Sequence, residues 1–156
     1  TQETSWCSGG HCVIRRSALE GVGFFDEGFF MYGEDVDLSW RMWLAGYKCV
    51  YVPEAVCQHH YDDTSLYGVR RLYYHVRNSI LLRYIYGRGE EIRKEIWRWV
   101  KEGLASGLKR RSFARAYAIL AGVTGHFFCA GYFLRKGRDL KANPRFNEMR
   151  RRWITL

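Results

Sequence analysis

The stretch Tyr32-Gly33-Glu34-Asp35-Val36-Asp37-Leu38-Ser39-Trp40-Arg41 decides how the rest of the chain is interpreted. It predicts a helix from about Asp35 to Ala45, which Gly46 ends. Three acids lie within four residues at the start of this helix, where the macrodipole stabilises each anion by about 0.3–1 kcal/mol. A carboxylate so placed stays ionised at neutral pH and is able to act as a general base. The same acids also fit simple helix capping, with Asp37 paired to Arg41 one turn later, and spacing alone leaves both interpretations open.

The segments around this helix predict a small α/β region. Residues 10–16 and 48–52 have strand-like composition, and Ser17 to Gly21 is expected to form one helical turn with Ser17 and Glu20 as a capping box. The loop from Gly23 to Gly33 is rich in Phe, and we expect most of its rings to pack in the core, although they also suit a sugar site. Two strands do not form a stable sheet alone, so this region is expected to need strands from outside the chain.

From about residue 66 the pattern becomes helical. Leu66 to Tyr86 predicts one long amphipathic helix, and a second helix follows. The run Ala116 to Leu134 has no formal charge, and we expect a buried or membrane-surface helix rather than a span, because the run is short and rich in Gly. The basic tail from Arg135 is expected to be poorly ordered. These patterns divide the chain into segments 1–65, 66–134 and 135–156.

Charge is distributed unevenly along the chain. Residues 1–68 carry four Lys/Arg against ten Asp/Glu, a net charge of −6, whereas residues 69–156 carry 21 against six, a net charge of +15. The acidic part suits a metal or a catalytic carboxylate, and the basic part suits phosphates, anionic lipid or nucleic acid. Nothing in the chain resembles a helix-turn-helix or an RNA-binding signature, so no nucleic-acid partner is expected.

The cysteines indicate the compartment more clearly than they indicate a metal site. Five Cys form no tight framework, and no signal peptide is visible, which favours a cytoplasmic protein. A zinc module built from Cys7, Cys12, Cys49, Cys57 and the histidines near residue 59 is an alternative, but its spacings match no common zinc pattern. Because the sequence begins at Thr1 rather than Met, a fragment or processed product is expected.

A series of motifs in order resembles family 2 glycosyltransferases, and within them the rhamnosyl- and galactofuranosyltransferase-like group. The resemblance covers about residues 6–86, and its specificity comes from the order and spacing of the series rather than from one Glu-Asp pair. The motifs are Ser8-Gly9-Gly10, Arg15-Arg16, Val22-Gly23-Phe24-Phe25-Asp26-Glu27, the stretch from Tyr32 to Arg41, Gly46-Tyr47, Val50-Tyr51-Val52-Pro53-Glu54-Ala55-Val56, His59, Ser65 and Arg77-Asn78.

The resemblance implies the C-terminal, acceptor-side portion of a GT-A fold followed by a helical extension, without the N-terminal nucleotide-binding half. It implies inverting transfer of a sugar from a nucleotide-diphosphate donor to a glycan or lipid-linked acceptor in cell-surface polysaccharide synthesis. Asp35 is then the base and Glu34 orients the acceptor, while Asp37 and Arg41 are structural. The acceptor-binding residues that it implies are Trp6, Gly9, Gly10 and Tyr32.

The resemblance also implies a divalent metal, Mn²⁺ or Mg²⁺. His59 corresponds to a ligand, while the family's Asp-x-Asp ligands lie upstream of the matched segment; sequence does not decide between His59 and the adjacent His60. Arg77 and Asn78 are implied to face a phosphate, although a solvated basic helix face is an equal alternative. A basic surface suits an enzyme peripheral on the inner face of the membrane. The alternative function is a non-catalytic or degenerate fragment that binds a metal or an anion.

Overall fold

The structure of the protein is a computed structural model, which describes residues 1–58 and 65–154. The chain forms two compact units, Thr1–Tyr61 with Ala142–Thr155, and Asp62–Lys141. These units group residues by contact, and the division into segments 1–65, 66–134 and 135–156 stays a prediction. In chain order the elements are β1 (Gln2–Glu3), α1 (Arg16–Val22), α2 (Glu34–Leu44), β2 (Val50–Tyr51), α3 (Ser65–Tyr86), α4 (Gly89–Leu108), α5 (Phe113–Gly125), a 3-10 turn (His126–Phe128), α6 (Ala130–Lys141) and α7 (Phe146–Trp153).

The first unit is built on α2. Its Leu38 and Met42 are buried against Ala18 of α1, so these apolar side chains hold the two helices together. The helix predicted from Asp35 to Ala45 is confirmed. Gly46 ends it with a φ of 91°, and a Cβ at Gly46 would collide with the guanidinium of Arg145.

The sheet of this unit is smaller than the sequence predicts. Strands β1 and β2 pair antiparallel, with Gln2 opposite Tyr51. The strand expected over 48–52 is thus present at its centre, whereas the strand expected over 10–16 is wrong. Residues 12–15 are irregular, after a turn in which the His11 N–H donates to the Ser8 carbonyl at 3.3 Å, and no described strand lies beside them to supply ladder hydrogen bonds.

The capping box expected in α1 is also wrong. The helix begins at Arg16, and Arg15 is its N-cap without a side-chain hydrogen bond. Glu20 instead accepts a hydrogen bond from Nε of Arg16 at 2.9 Å. A carboxylate bonded to a guanidinium makes a charge-assisted hydrogen bond, and that partner takes the Glu20 side chain away from the helix start.

The basic tail is ordered, in contrast to the expectation from its composition. It completes α6 and forms α7, which packs on α2 within the first unit. The rings of Trp153 and Trp43 lie 5.1 Å apart, and Arg152 pairs with Glu3 at 2.5 Å. Aromatic contact and charge neutralisation by an acidic partner explain why a strongly basic segment folds here.

The second unit is a group of helices around α3. The predicted long helix is confirmed, and α4, α5 and α6 all contact it. Glycines allow two of these contacts to be close: a Cβ at Gly122 of α5 would lie 2.8 Å from the Tyr73 carbonyl oxygen, and one at Gly137 of α6 would lie 2.8 Å from Cα of Ile85. Gly122, within the weakly hydrophobic 116–134 run, and Gly137, just after it, therefore bring helices together.

A buried carboxylate joins α3 to α4. Glu95 accepts two hydrogen bonds from Arg98, at 3.0 and 2.6 Å, and one from the Trp99 indole at 2.9 Å. The same indole N–H lies 2.8 Å from the hydroxyl of Ser79 on α3. Burial acts to raise the pKa of Glu95, but the bonds from Arg98 and the charge of Arg83 outweigh it, and the pKa is lowered.

Among the described residues, no single helix has both the length and the apolar character needed to cross a membrane. Residues Phe113–Phe128 and Ala130–Lys141 meet that requirement only as a pair, and the pair is bent by 66°. The 116–134 run is therefore divided between α5, the 3-10 turn and α6 rather than forming one rod.

Candidate active site

Asp35 lies at the start of α2, where its carboxylate is held by backbone donors. Gly33 precedes the helix with a φ of 89°, a left-handed conformation that suits glycine. The N–H of Gly9 donates to Oδ2 of Asp35 at 3.2 Å, and the N–H of Val36 donates to Oδ1 at 2.8 Å. Both carboxylate oxygens thus have a backbone donor, which fixes the orientation of the group.

The Gly9 hydrogen bond was not predicted from the sequence, which assigned Gly9 to the acceptor. A Cβ at this position would lie 3.5 Å from the Asp35 Cβ, an ordinary contact distance, so the bond itself does not require glycine. It ties the segment before α1 to the start of α2.

Asp35 lines a cleft of about 490 Å³ within the first unit. The cleft size is in the range of small-molecule sites. Arg15 and Lys48 also line it, so the cleft combines one acidic and two basic side chains over an apolar floor that includes Leu38 and Met42. This combination is able to hold a polar substrate that carries hydroxyls or negative charge.

Glu34 is half-buried beside Asp35, and its oxygen Oε2 is buried without a hydrogen-bond partner among the described residues. Burial raises the pKa of the Glu34 carboxyl; a bond from its own backbone N–H opposes this, and the charge of Asp35 adds to it. Carboxyl groups with a perturbed pKa are concentrated at functional sites. Asp35 lines the cleft and Glu34 does not. The two adjacent acids therefore lie in different surroundings.

Asp37 is fully buried and bonded to Arg41. The guanidinium of Arg41 also donates to the carbonyls of Val22, at 2.6 Å, and Phe24, at 2.7 Å. Asp35-Val36-Asp37 has the letters of an Asp-x-Asp motif, but Asp37 is enclosed behind the helix start and fixes the preceding loop.

The aromatic loop before α2 is largely exposed, contrary to the expectation of core packing. Among its rings Phe29 is fully buried, whereas four others are exposed. Tyr32 has a φ of 66° and Phe30 a φ of 62°, left-handed conformations that are uncommon outside glycine. Arg41 and Phe29 hold the loop while the remaining rings face solvent. The exposed rings are Phe24, Phe25, Phe30 and Tyr32.

The remaining predicted acceptor residues lie in the same unit. Trp6 is exposed, and its carbonyl accepts a hydrogen bond from the Thr4 hydroxyl at 3.3 Å. Gly10 lies in an exposed turn, where a Cβ would meet nothing within 4 Å. Neither residue lines the cleft, and their acceptor-binding roles stay predictions.

Three cysteines line the cleft without forming a metal site. Burial raises the pKa of Cys12, with added contributions from the charges of Cys7 and Asp35, and burial raises the pKa of Cys49 to about 12. Thiols with raised pKa values of this kind are poor nucleophiles at neutral pH. Across residues 1–58 and 65–154, no group of three His, Cys, Asp or Glu side chains could hold a metal ion.

The predicted metal ligand His59 and its neighbour His60 lie outside the described residues. Of the acids at the start of α2, Asp37 is bonded to Arg41 and Asp35 to backbone donors.

Arg77 and Asn78 belong to the second unit. Asn78 is buried, and its amide oxygen accepts a hydrogen bond from Arg77 at 3.2 Å. Arg77 also contacts Sγ of Cys129 at 3.4 Å and lies over the ring of Tyr74. Asn78 is therefore enclosed and holds the Arg77 guanidinium by a hydrogen bond. Phosphate binding by the pair stays a prediction.

Comparison with known proteins gives the family. A family model described as glycosyl transferase family group 2 matches residues 2–136, most of the chain. The chain belongs to this family. The family residues thus include both the Asp35 site and most of the helical unit, and the resemblance drawn from the motifs is confirmed.

The curated relatives match shorter segments. An N-acetylglucosaminyl-diphospho-decaprenol L-rhamnosyltransferase of Mycobacterium tuberculosis is 54% identical over 55 residues, which are 35% of this chain and 18% of that protein. Rhamnosyltransferase WbbL of Escherichia coli is 42% identical over 65 residues, 40% of this chain and 25% of that protein. The matches thus span a quarter or less of the relatives' length. No solved structure matches the chain.

Proposed function

We propose that this chain supplies the acceptor-activating part of an inverting glycosyltransferase, with Asp35 as the general base. The observation that supports this most is the Asp35 carboxylate, which lines the cleft and is oriented by the backbone N–H of Gly9. The base takes the proton of an acceptor hydroxyl as that oxygen attacks the anomeric carbon of the donor sugar. A fixed carboxylate within hydrogen-bond reach of the hydroxyl is what this step requires.

Neighbouring groups are proposed to position the acceptor. Glu34 orients it, and the exposed rings of the loop before α2, Tyr32 among them, form a surface on which a sugar stacks. Arg15 and Lys48 line the same cleft as Asp35 and suit an acceptor that carries phosphate. Trp6, Gly9 and Gly10 complete the proposed acceptor side.

The donor side is proposed to lie outside this chain. The motif series is that of the acceptor half, and the described sheet has only two strands. The missing half would supply the nucleotide-binding strands and the Asp-x-Asp ligands. Mn²⁺ or Mg²⁺ with His59 as one ligand belongs to the same proposal, and Arg77 with Asn78 is proposed to face a phosphate.

The substrates are proposed from the relatives. Their names state L-rhamnosyl transfer, in one case to N-acetylglucosaminyl-diphospho-decaprenol. We extend this to an L-rhamnosyl donor and a lipid-linked diphosphate acceptor for this protein, in cell-surface polysaccharide synthesis. An acceptor of this kind places the enzyme at the cytoplasmic face of the membrane.

The test replaces Asp35 with Asn in the protein that carries this chain together with its donor-binding half. Loss of a general base is expected to reduce kcat about 10²–10⁴-fold, while donor binding measured by calorimetry is unchanged. Glu20→Gln on α1 is the matched control, because Glu20 is exposed and paired only with Arg16 among the described contacts. Near-normal turnover of the Asp35 variant would remove it from this role, and transfer by the 156-residue chain alone would contradict the divided site.

A further inference from the structure

One helix of the second unit has two apolar faces. The inner face of α5, with Ile119 and Val123, is buried against α3 and α4. The outer face continues through the 3-10 turn and is exposed; we call it the outer stripe. Apart from Arg115 in its first turn, α5 carries no charged side chain. An apolar helix face suits a core or a lipid surface, and in this unit only one of the two apolar faces of α5 is covered. The outer stripe consists of Phe113, Tyr117, Leu120, Phe127 and Phe128.

The spacing of the outer stripe makes it a continuous surface. Its members follow Phe113 by four, seven, fourteen and fifteen residues, which is one side of a helix. At 1.5 Å per residue the stripe is about 22 Å long. Both of its ends are strongly exposed, with Phe113 at 76% and Phe128 at 95%. Tyr132, also exposed, follows on α6.

Basic residues stand at both ends of the outer stripe. Lys109, Arg110 and Arg111 precede α5, and Arg135 and Lys136 follow the exposed aromatic residues. The part of the chain from residue 69 onward has a net charge of +15. A second copy bound through this face would bring these like charges together, whereas an anionic lipid surface would neutralise them.

We propose that the outer stripe docks the chain onto an anionic lipid bilayer, with α5 lying in the plane of the interface. Aromatic rings and leucine on one side with Lys and Arg at the edges are the composition of an interfacial helix. The 66° bend before α6 lets Phe127 and Phe128 project at a corner, where they enter the headgroup layer first. The inference rests on the proposed function, since a lipid-linked acceptor is the reason for the chain to be at a membrane.

The test is co-sedimentation of the 156-residue chain with vesicles of phosphatidylcholine, with or without phosphatidylglycerol. The chain is expected to bind the anionic vesicles more tightly, and high salt is expected to weaken this. Phe127→Ser with Phe128→Ser should weaken binding at least about tenfold, because two apolar side chains lose their burial. Tyr51→Ser with Val56→Ser is the control, since both side chains are exposed in the other unit. It should bind as the unchanged chain does.

Two further measurements separate the effect of charge from that of the apolar side chains and check that the variants stay folded. Arg111→Gln with Arg135→Gln should weaken binding to anionic vesicles severalfold and change binding to neutral vesicles little. Circular dichroism should show unchanged helix content in all variants, because the substituted side chains are exposed. Equal vesicle binding by the Phe variant and the unchanged chain would overturn the proposal. So would a self-associating chain, seen by sedimentation, that the Phe variant makes monomeric without losing vesicle binding. Neither measurement needs donor or acceptor, so Asp35→Asn should dock normally even if it does not transfer sugar.

Discussion

Nε of Arg41 and Oδ2 of Asp37 lie 2.9 Å apart, four residues along α2, with Asp37 fully buried. Arg16 and Glu20 of α1 have the same spacing and the same 2.9 Å distance, but both are exposed. The two pairs therefore differ in burial and in the other partners of the arginine. In the buried pair the guanidinium also bonds the loop that carries the exposed rings, so α2 and that loop are fixed by one side chain.

Arg41→Lys is expected to lower the free energy of unfolding by about 1.5–3 kcal/mol, because an ammonium cannot keep the hydrogen bonds to both Asp37 and the loop carbonyls. Urea unfolding measures this change. Arg16→Lys is the control, and an exposed pair on a helix is expected to change stability by about 0.5 kcal/mol or less. Amide exchange of residues 22–24 should accelerate in the first variant alone. Equal effects at the two sites would show that burial of Asp37 does not matter.

Glu34→Gln tests whether a half-buried carboxyl, whose Oε2 has no hydrogen-bond partner among the described residues, is retained at a cost in stability. The fold raises the pKa of Glu34 above its ordinary value of 4.5. The stability that the protonated carboxyl contributes is therefore fully present at a pH below 4.5. It is lost as pH rises through the folded pKa. Relative to the unchanged chain, the variant should therefore gain stability as pH rises above 4.5.

Thermal unfolding across this pH range measures the difference, and Glu27→Gln in the exposed loop is its control. If Glu34 orients the acceptor, the same variant in the complete enzyme raises the KM for acceptor more than it lowers kcat. A difference in stability that stays constant with pH would mean that ionisation of Glu34 is not opposed by the fold.

The helices were predictable because their signals are local. The start of α2 was predicted within one residue from its acids. Its end was predicted from Gly46, because glycine readily adopts the left-handed backbone that ends a helix. The long helix α3 was predicted from its periodicity. The exposed rings before α2 were not predictable, because a count of aromatic residues does not show that Arg41 holds their backbone from behind.

The capping-box error in α1 is local, because Glu20 bonds Arg16 instead of the helix start, but the other errors concern contacts between distant residues. The strand expected over 10–16 needed a partner strand, and the tail was expected to be poorly ordered until its contact between Trp153 and Trp43 was seen. At the site, sequence placed Asp35 at the helix start, but the Gly9 donor lies 26 residues earlier. No local pattern encodes such a pairing.

Gly122→Ala is expected to destabilise the helical unit by about 1–3 kcal/mol. An added Cβ would lie 2.8 Å from both the Tyr73 carbonyl oxygen and the Val76 Cβ, so α5 must move away from α3. The intrinsic helix preference for Ala, about 1 kcal/mol, acts in the opposite direction. Gly131→Ala on α6 has open space around it and should be neutral or slightly stabilising in the same denaturant titration. A stabilised Gly122 variant would mean that this helix contact is looser than described.

Acid is expected to weaken the second unit through His126. This residue is fully buried, its Nδ1 contacts the Val123 carbonyl, and its ring lies 4.1 Å from that of Phe127 and 5.6 Å from that of Tyr84. Burial lowers the pKa of His126 below 6.5, and the Val123 bond only partly opposes this. A histidine whose pKa is lowered by folding contributes stability at any pH above its unfolded-state pKa. That stability is lost as pH falls through the folded-state pKa.

His126→Gln should therefore flatten the decline of the melting temperature below about pH 6.5, even though it lowers the melting temperature at neutral pH. Burial also lowers the pKa of His75, so His75 too destabilises the fold in acid. The His126→Gln variant and its parent are therefore compared in a background in which both carry His75→Gln. His11→Gln, an exposed change in the other unit, is the control for the substitution itself. If the His126 variant lost stability in acid as steeply as its parent, protonation of this ring would not be what opens the helical unit.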